Sequence, residues 1–406
     1  MNTFFQGEVL KRIKPESSGV PILSWCTGAE DMTMDQARNL TRHSRVFHHV
    51  ALMPDCHPGY GMPIGGVIAC PGAVIPYAVG VDIGCGMVAV KTAVAAEELS
   101  RNTLEILVKE LEKRVPTGRG HSHRSAQEWD GFGRIPSWMK SRGRELAVKS
   151  LGTLGGGNHF MEVQSGEDGF AWLMVHSGSR NTGYRIARHH HEIAVEECRR
   201  RSEVLPAEEL SFLLTDSGEG RDYVEEMEFA MDYARENRRR LMKAFQEVFT
   251  HVTGRGEFTG NVNIHHNYAA EEEHFGEKVW VHRKGATSAK KGELGIIPGS
   301  MGTCSYIVEG LGCPDSFHSC SHGAGRVMGR RAASRELDPE ECDRAMKGIV
   351  FSGWKKYRGY RRKKKAPELD LSEAPAAYKD IGKVMEAQKD LARPVVRLRP
   401  LAVVKG

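Results

Sequence analysis

The nine cysteines of this 406-residue chain form no C-x-x-C pair. Cys26, Cys56, Cys70, Cys85, Cys198, Cys304, Cys313, Cys320 and Cys342 are odd in number and scattered, which argues against a secreted disulfide scaffold and for a reducing cytosol. No run of about 18 apolar residues occurs, so no membrane-spanning helix is expected. Met1 to Lys14 lacks the apolar core of a signal peptide, and the chain reads as cytoplasmic. There is no internal repeat and no Pro/Ser-rich linker. Charge of one sign is also scarce: a net +5 and pI near 8.6 are too weak on average to identify a polyanionic partner.

Glycine is what the chain has in excess, 45 in 406 residues, about 11% where about 7% is ordinary. The glycines cluster at 59–66, 80–86, 152–157, 178–183, 292–302 and 323–325. Any one cluster reads as a tight turn. Several, however, carry or adjoin His, Asp, Cys or Arg, and glycine-rich backbone can approach an anion closely. Asp82 and Cys85 sit in Gly80-Val81-Asp82-Ile83-Gly84-Cys85-Gly86. His159 ends Gly155-Gly156-Gly157-Asn158-His159, His176 opens His176-Ser177-Gly178-Ser179-Arg180, and His266 lies in His265-His266-Asn267. A lone Cys is most often an inert hydrophobe and a lone His most often a hydrogen-bonded one. One carboxylate, one thiol and three imidazoles in such settings form instead a metal inventory with one ligand to spare for a single tetrahedral ion. A bridging thiolate would let the same five groups hold two ions. Manganese, iron and zinc all suit that mixture.

His322, in Ser319-Cys320-Ser321-His322-Gly323-Ala324-Gly325-Arg326, is flanked by small residues that would leave its ring exposed as nucleophile, base or ligand. Arg326 and Arg330, four apart on a helix expected from Gly323 to Arg331, would share a face and suit a phosphate. Arg180 is a further phosphate candidate, and Asp55 and His57 form a polar pair at a strand end. The run from Trp354 to Lys365 mixes cations with aromatics, as single-stranded nucleic acid would require, and equally as a solvated basic loop would. The triple histidine 189–191 is an unconvincing metal site, because consecutive helical residues point apart.

Periodicity predicts strands over 46–53, 66–70, 73–79, 87–92, 160–163, 171–176, 279–283, 295–298, 305–309 and 395–404. It predicts helices over 95–114, 184–205, 221–248 and 378–392. The 221–248 helix would bury Tyr223, Met227, Ala230, Ala234, Leu241, Phe245 and Val248, with Arg235, Arg238, Arg239 and Arg240 on its other faces. Length alone suggests two to three domains. With no linker, and with ligands drawn from both halves, the reading is one α+β unit spanning 1–406, β-sheets with surrounding helices.

From about Val20 to Gly406 these motifs, taken in order, resemble the RtcB family of RNA-splicing ligases. Further elements of the resemblance are Met53-Pro54-Asp55-Cys56-His57, Arg283-Lys284-Gly285-Ala286, Ile297-Pro298-Gly299-Ser300-Met301-Gly302, Tyr378-Lys379-Asp380 and Val404-Lys405-Gly406. The resemblance implies an RtcB-like fold and a ligase that uses GTP and two manganese ions. Such an enzyme joins RNA ends bearing a 3′-phosphate or 2′,3′-cyclic phosphate to 5′-hydroxyl ends. His322 would be guanylylated, and GMP would pass to the RNA 3′-phosphate as RNA-(3′)pp(5′)G before the 5′-hydroxyl attacks, in tRNA splicing or RNA repair. Carried over by motif, Asp82, Cys85 and His159 would hold one ion and Cys85, His176 and His266 the other. Asn158, Glu162, His266, Asn267, Ser300, Ala324, Gly325, Tyr378 and Lys405 would contact the nucleotide. Arg180, Arg326 and Arg330 would bind phosphates, with Asp55 at the reacting centre. RNA is the expected partner, an archease-like activator is admitted, and a monomer is expected. Two other classes use the same residues: a dinuclear metal-dependent phosphoesterase acting on nucleic acid, and a noncatalytic RNA-binding protein resting on the basic run. Segment 116–150, and Cys56 and Pro58 around His57, depart from the family pattern.

Overall fold

Two large sheets share an apolar core and are joined directly by a single residue. The computed structural model describes residues 11–14, 19–355 and 369–406; most of the basic run at 355–365 lies outside them. The first sheet has six strands in the order Lys11–Ile13, Ile22–Ser24, Phe47–Tyr60, Met62–Cys70, Glu277–Lys284 and Asn267–His274. The second has eight: Phe258–His265, Gly86–Ala95, Phe170–Ser177, Phe160–Gly166, Ala392–Lys405, Ser305–Gly310 and Leu294–Ile297 in order, with Val350–Phe351 paired in parallel to Ala392–Lys405. Strand Phe258–His265 is at one edge of the second sheet and Asn267–His274 at one edge of the first, so the chain crosses between them at His266. The mixed α+β architecture agrees with the expected class.

The longest helix, Gly218–Thr253, starts where the Ser217 hydroxyl accepts from Gly220 N–H. It stops at Gly254 (φ 72°), whose N–H reaches Thr250 O. Its expected stripe is buried, joined by Phe229, Tyr233, Met242 and Phe249. Leu241, Phe245 and Phe249 pack with Leu104, Leu107 and Leu111 of helix Arg101–Arg114 over Val88, Val163, Leu173 and Val175 of the eight-stranded sheet. Arg238 departs from the reading: it is fully buried, for a reason given below.

Other expectations are corrected. Only Ala73–Val74 of 73–79 is strand; Pro76 then opens a one-turn helix, Pro76–Val79, where its missing N–H costs nothing. Residues 323–329 are irregular and the helix begins at Arg330 (Arg330–Glu336), because glycines at 323, 325 and 329 favour loop over helix. The closing helix shrinks to Ile381–Glu386, capped by Asp380, and Ala392 already belongs to the last strand. The poorly matched segment contains helix Ser141–Ser150, whose weak apolar stripe gave little periodic signal. Strand Phe258–His265 and its successor went unseen because their outward residues are polar and Asn-rich. Among the described residues no helix is long and apolar enough to cross a membrane.

Candidate metal and nucleotide site

Sheet register gathers the ligands. Gly86 pairs with Ser177 and with His265; His176 pairs with Met87 and with Phe160. Residues 85, 159, 176 and 266 therefore fall at one end of four adjacent strand ends, though nearly two hundred residues separate the first from the last. The His266 N–H donates to Cys85 O (2.9 Å), locking the crossing point to the cysteine loop. Glycine is required for this closeness. A Cβ at Gly86 would lie 1.9 Å from Ile264 O, and one at Gly178 would lie 2.5 Å from Asp82 Oδ2.

The heads converge. Cys85 Sγ is 3.3 Å from His176 Nε2 and 3.4 Å from His159 Nε2. His176 Nε2 is 3.4 Å from His266 Nε2, and His159 Nε2 is 3.4 Å from Asp82 Oδ2. These separations are close to the roughly 3.5 Å kept by two ligands of one tetrahedral ion. The far sides of two rings are spoken for: His159 Nδ1 is 3.0 Å from Leu154 O and His176 Nδ1 is 3.1 Å from Asn158 O, while His266 Nδ1 has no partner among the described residues. A carbonyl accepts only from N–H, so the Asn158 contact puts the His176 proton on Nδ1 and leaves its Nε2 bare toward the thiol. His176 and His266 are pushed well below the usual histidine range, chiefly by burial, and are neutral near pH 7; burial lowers His159 too, opposed by Asp82. Burial opposes ionisation of Asp82, but His159 and Arg180 outweigh it and hold the carboxyl below its usual range. Burial and then Asp82 push the Cys85 thiol up, so its thiolate form needs a cation beside it. Cys85, His159 and His176 bring their ligand atoms within 4.8 Å of one another, a donor set that fits a divalent ion, with Asp82 beside His159 and His266 beside His176.

Arg238 underlies this floor. It donates to Gly84 O (2.8 Å), Ser177 O (3.1 Å) and Asn263 Oδ1 (2.9 Å), binding the carbonyls of two ligand loops to the long helix. We expect Arg238→Met to cost about 3 kcal/mol, since Gly84 O, Ser177 O and Asn263 Oδ1 each lose a charged donor. The check is chemical denaturation against Arg239→Met, an exposed neighbour that should change little.

His322 lies beyond the cluster, its ring centroid 4.9 Å from that of His266. Its side chain is only 16% exposed, against the expectation of an open ring, lying between Asp55 and His266. Its Nδ1 is 2.6 Å from Oδ2 of fully buried Asp55, which also accepts from the His322 N–H at 3.2 Å. Burial opposes Asp55's charge and His322 outweighs it, so the carboxyl stays ionised. His57 turns away, its Nδ1 on Asp55 O.

Beside it is a basic pocket. Arg326 and Arg330 do not share a helix face, yet both reach Glu373 (3.4 and 2.8 Å), as does Lys405 at 3.7 Å; Tyr378 Oη donates to the same carboxylate and accepts from Arg326 at 3.2 Å. Glu373 is held near about 2: burial opposes its charge, and Lys405, Arg330 and Arg326 outweigh it. Lys405 Nζ also donates to Asn158 O, and Arg330 to Asn158 Oδ1. Glu162 pairs across the strands with Val403, two residues before Lys405, and burial raises its carboxyl to about 7. Gln164 links Glu162 to Ser305, which accepts from Gly299 N–H beside Ser300. Ala324 is buried, and Gly325 (φ 73°) lets the chain pass Asp55 O where a Cβ would come within 2.2 Å. Asn267 faces the other way, tying Asp82 O to the Gly285 N–H. Arg180 lies 3.3 Å from His159 Nδ1, against the cluster and apart from the Glu373 pocket.

Residues 377–379 run antiparallel to 325–327, through the Arg326–Tyr378 bridge and Lys379 N–H to Gly325 O. Alternation sends Tyr378 to Glu373 and Lys379 to the opposite side. There its Nζ donates to Pro54 O (3.1 Å) and Cys56 O (2.6 Å), the carbonyls on either side of Asp55. Glu373 and Lys379 were missed from sequence. The Tyr378-Lys379-Asp380 motif was the available signal, but not its register.

The other sequence candidates stay apart. His189, His190 and His191 go separately to Trp138, Glu226 and Tyr77. A second group, Glu272, His274 and His318, gathers at the far end of strand Asn267–His274. Its carboxylate is already held by buried Arg283 at 2.6 Å, so it reads as an internal ion-pair network.

A buried thiol–imidazole–carboxylate cluster, a carboxylate-held imidazole and a basic pocket define a class: a protein equipped for metal-assisted chemistry on phosphates. Comparison with known proteins narrows it. Residues 36–406 match the family described as tRNA-splicing ligase RtcB. The RNA-splicing ligase RtcB of Escherichia coli strain K12 is 39% identical over 96% of this chain and 98% of its own length. The tRNA-splicing ligase RtcB of Pyrobaculum aerophilum is 33% identical over 93% of this chain and 91% of its own. The chain belongs to the RtcB family.

Proposed function

We propose that this protein is an RNA ligase, joining RNA 3′-phosphate or 2′,3′-cyclic phosphate ends to 5′-hydroxyl ends with GTP and two manganese ions, through guanylylated His322. The observation that carries this is the His322–Asp55 contact beside His266 of the ligand cluster. Asp55 holds Nδ1, so Nε2 is the free nitrogen. It attacks the α-phosphorus of GTP, a phosphorus–nitrogen bond forms, and pyrophosphate leaves. The ring gains positive charge as it attacks, and the buried Asp55 carboxylate stabilises that charge. An RNA 3′-phosphate oxygen then takes the GMP, restoring His322. Attack by the 5′-hydroxyl on the activated phosphorus expels GMP and seals the strand. A 2′,3′-cyclic end is first opened to the 3′-phosphate.

Asp82, Cys85 and His159 would hold one ion and Cys85, His176 and His266 the second. Bound there, the ions supply charge neutralisation at phosphate oxygens. Asn158, Glu162, Ser300, Ala324, Gly325, Tyr378 and Lys405 form the nucleotide pocket in this reading, and Arg180, Arg326 and Arg330 take phosphates. Residues 1–406 work as one catalytic unit, a cytoplasmic monomer. The test is a gel assay joining a 3′-phosphate strand to a 5′-hydroxyl strand with GTP and manganese. No joined product would end the proposal.

Lys379 holds Asp55 by the backbone on both sides. Lys379→Met should slow guanylylation by ~10–100-fold, as sub-ångström to 1 Å misplacement does. GTP affinity should stay within about twofold, since Lys379 does not face the Glu373 side. Single-turnover labelling at saturating GTP separates the two.

A further inference from the structure

Gly155, Gly156 and Gly157 lead into Asn158 and His159, and each leaves the space of its missing side chain to an arginine. At Gly155 that space holds the Arg180 guanidinium. At Gly157 a Cβ would lie 3.2 Å from Arg330 Nη2. At Gly156 it would lie 2.9 Å from Arg119 Cγ and 3.1 Å from Arg119 N. Arg180 and Arg330 take phosphates in the ligase reading; Arg119 has no role in it. Arg119 is exposed, and its side chain makes no ion pair or hydrogen bond among the described residues.

The segment that carries Arg119 is pinned to the glycine loop. Gly118 N–H donates to Gly155 O (2.8 Å) and Leu154 N–H to Pro116 O (3.0 Å), with Thr117 paired to Gly155 in parallel. Farther along, His123 N–H donates to Lys149 O (2.9 Å) and Gln127 N–H to Val148 O (2.9 Å), while His123 Nε2 lies 3.3 Å from Gly152 O. Its charge is one-sided. From Thr117 to Gln127 the sequence holds Arg119, His121, His123 and Arg124, and no Asp or Glu. Nearby carboxylates already carry cations: Glu373 holds Arg326 and Arg330, Glu236 holds Arg239 and Arg240, and Glu145 holds Lys149. Glu128, just past the segment, is exposed and has Arg240 on its backbone carbonyl.

We propose that Arg119 binds a backbone phosphate of the RNA strand whose end is seated at the cluster. This rests on the ligase reading and adds a substrate subsite to it. A guanidinium can donate to two phosphate oxygens at once. The Arg119 stem already lies against Gly156, so it has less freedom to lose on binding. Phosphates recur at every nucleotide of a strand. With one held at Arg180 or Arg330, the next meets the arginine on the neighbouring glycine.

The experiment measures Kd by fluorescence anisotropy for a 3′-phosphate and a 5′-hydroxyl RNA strand, between about 50 and 200 mM salt. Proteins are wild type, Arg119→Met, Arg119→Lys and Arg101→Met. Arg101 is exposed at the far end of helix Arg101–Arg114 and controls for bulk charge. Arg119→Met should weaken one strand about tenfold at low salt, and flatten its slope of log K against log salt by about 0.7. Arg119→Lys should keep the slope and lose part of the affinity, since a point charge replaces a fork. Strands with one uncharged methylphosphonate at each position in turn then find the phosphate. In wild type one position should cost the same factor, and in Arg119→Met that position should cost little more. Unchanged Kd and slope for both strands would overturn the subsite. So would an equal loss in Arg101→Met, or methylphosphonate losses that multiply with the methionine loss at every position. A loss confined to GTP labelling without RNA would put the nucleotide's own phosphates at Arg119, and that overturns it too. A wild type that forms no GMP adduct sinks the ligase reading, while the strand series still judges Arg119.

Discussion

His322→Ala is expected to retain no labelled GMP after incubation with labelled GTP and manganese, where the unaltered protein carries an acid-labile adduct. Joining should fall by at least ~10⁴-fold, the scale of losing a covalent nucleophile. No neighbour can substitute. His57 points its Nδ1 at the Asp55 carbonyl, and His266 is drawn toward His176, 3.4 Å away. The ring is the main partner of the buried Asp55 carboxylate, so the variant should also unfold at a lower temperature, and circular dichroism at the assay temperature checks that it is folded when the label is read. A companion, Asp55→Asn, keeps the shape and removes the charge. It should keep GTP binding and lose most of the adduct rate, since the imidazolium that forms on attack would face a neutral amide. If His322→Ala still labels, the nucleophile is elsewhere. If unaltered protein never labels yet cleaves phosphate esters with a divalent ion, the phosphoesterase reading takes over.

Cys85→Ala should lose manganese. The thiol lies between His159 and His176 and, in the proposed reading, serves both ions, so one substitution would remove a ligand from each. Affinity should drop by more than ~100-fold, beyond what loss of an outer-shell contact costs. Metal analysis after desalting should fall toward none from the two ions proposed for the unaltered protein, and joining with it. Thermal unfolding gives a second readout. A ligand that binds only the folded state at a hundred times its Kd adds about 2.7 kcal/mol, so manganese should raise the melting temperature of the unaltered protein and not of Cys85→Ala. A variant that keeps both ions would mean that the sulfur is a bystander.

The five-member cluster was legible because its residue types are chemically unusual together and each sits by glycine. That they meet is a property of antiparallel register, which sequence reveals only once strands are paired. The strand ending at His265 escaped notice, so the reason His266 joins the others did too. Strongly patterned elements such as Gly218–Thr253 were read to within a few residues. Arg238 was misplaced because a charged residue in an arginine-rich stretch looks solvated; only the carbonyls it serves explain its burial. Residues 323–329 looked helical by charge spacing, and glycine chemistry won. Glu373 and Lys379 left no trace in composition, since their roles exist only against partners at 326, 330, 405 and the backbone around 55.

The position where the chain leaves one sheet for the other has a practical corollary. His266 is at once a member of the cluster and the hinge pin of the architecture, its amide fastened to Cys85 O and its carbonyl to Ala286 N–H. Trimming its side chain disturbs catalyst and chassis together, and an inert product could be blamed on either. Cys85 and Asp82 occupy a loop on one side of that joint only, which makes them the cleaner places from which to interrogate the chemistry.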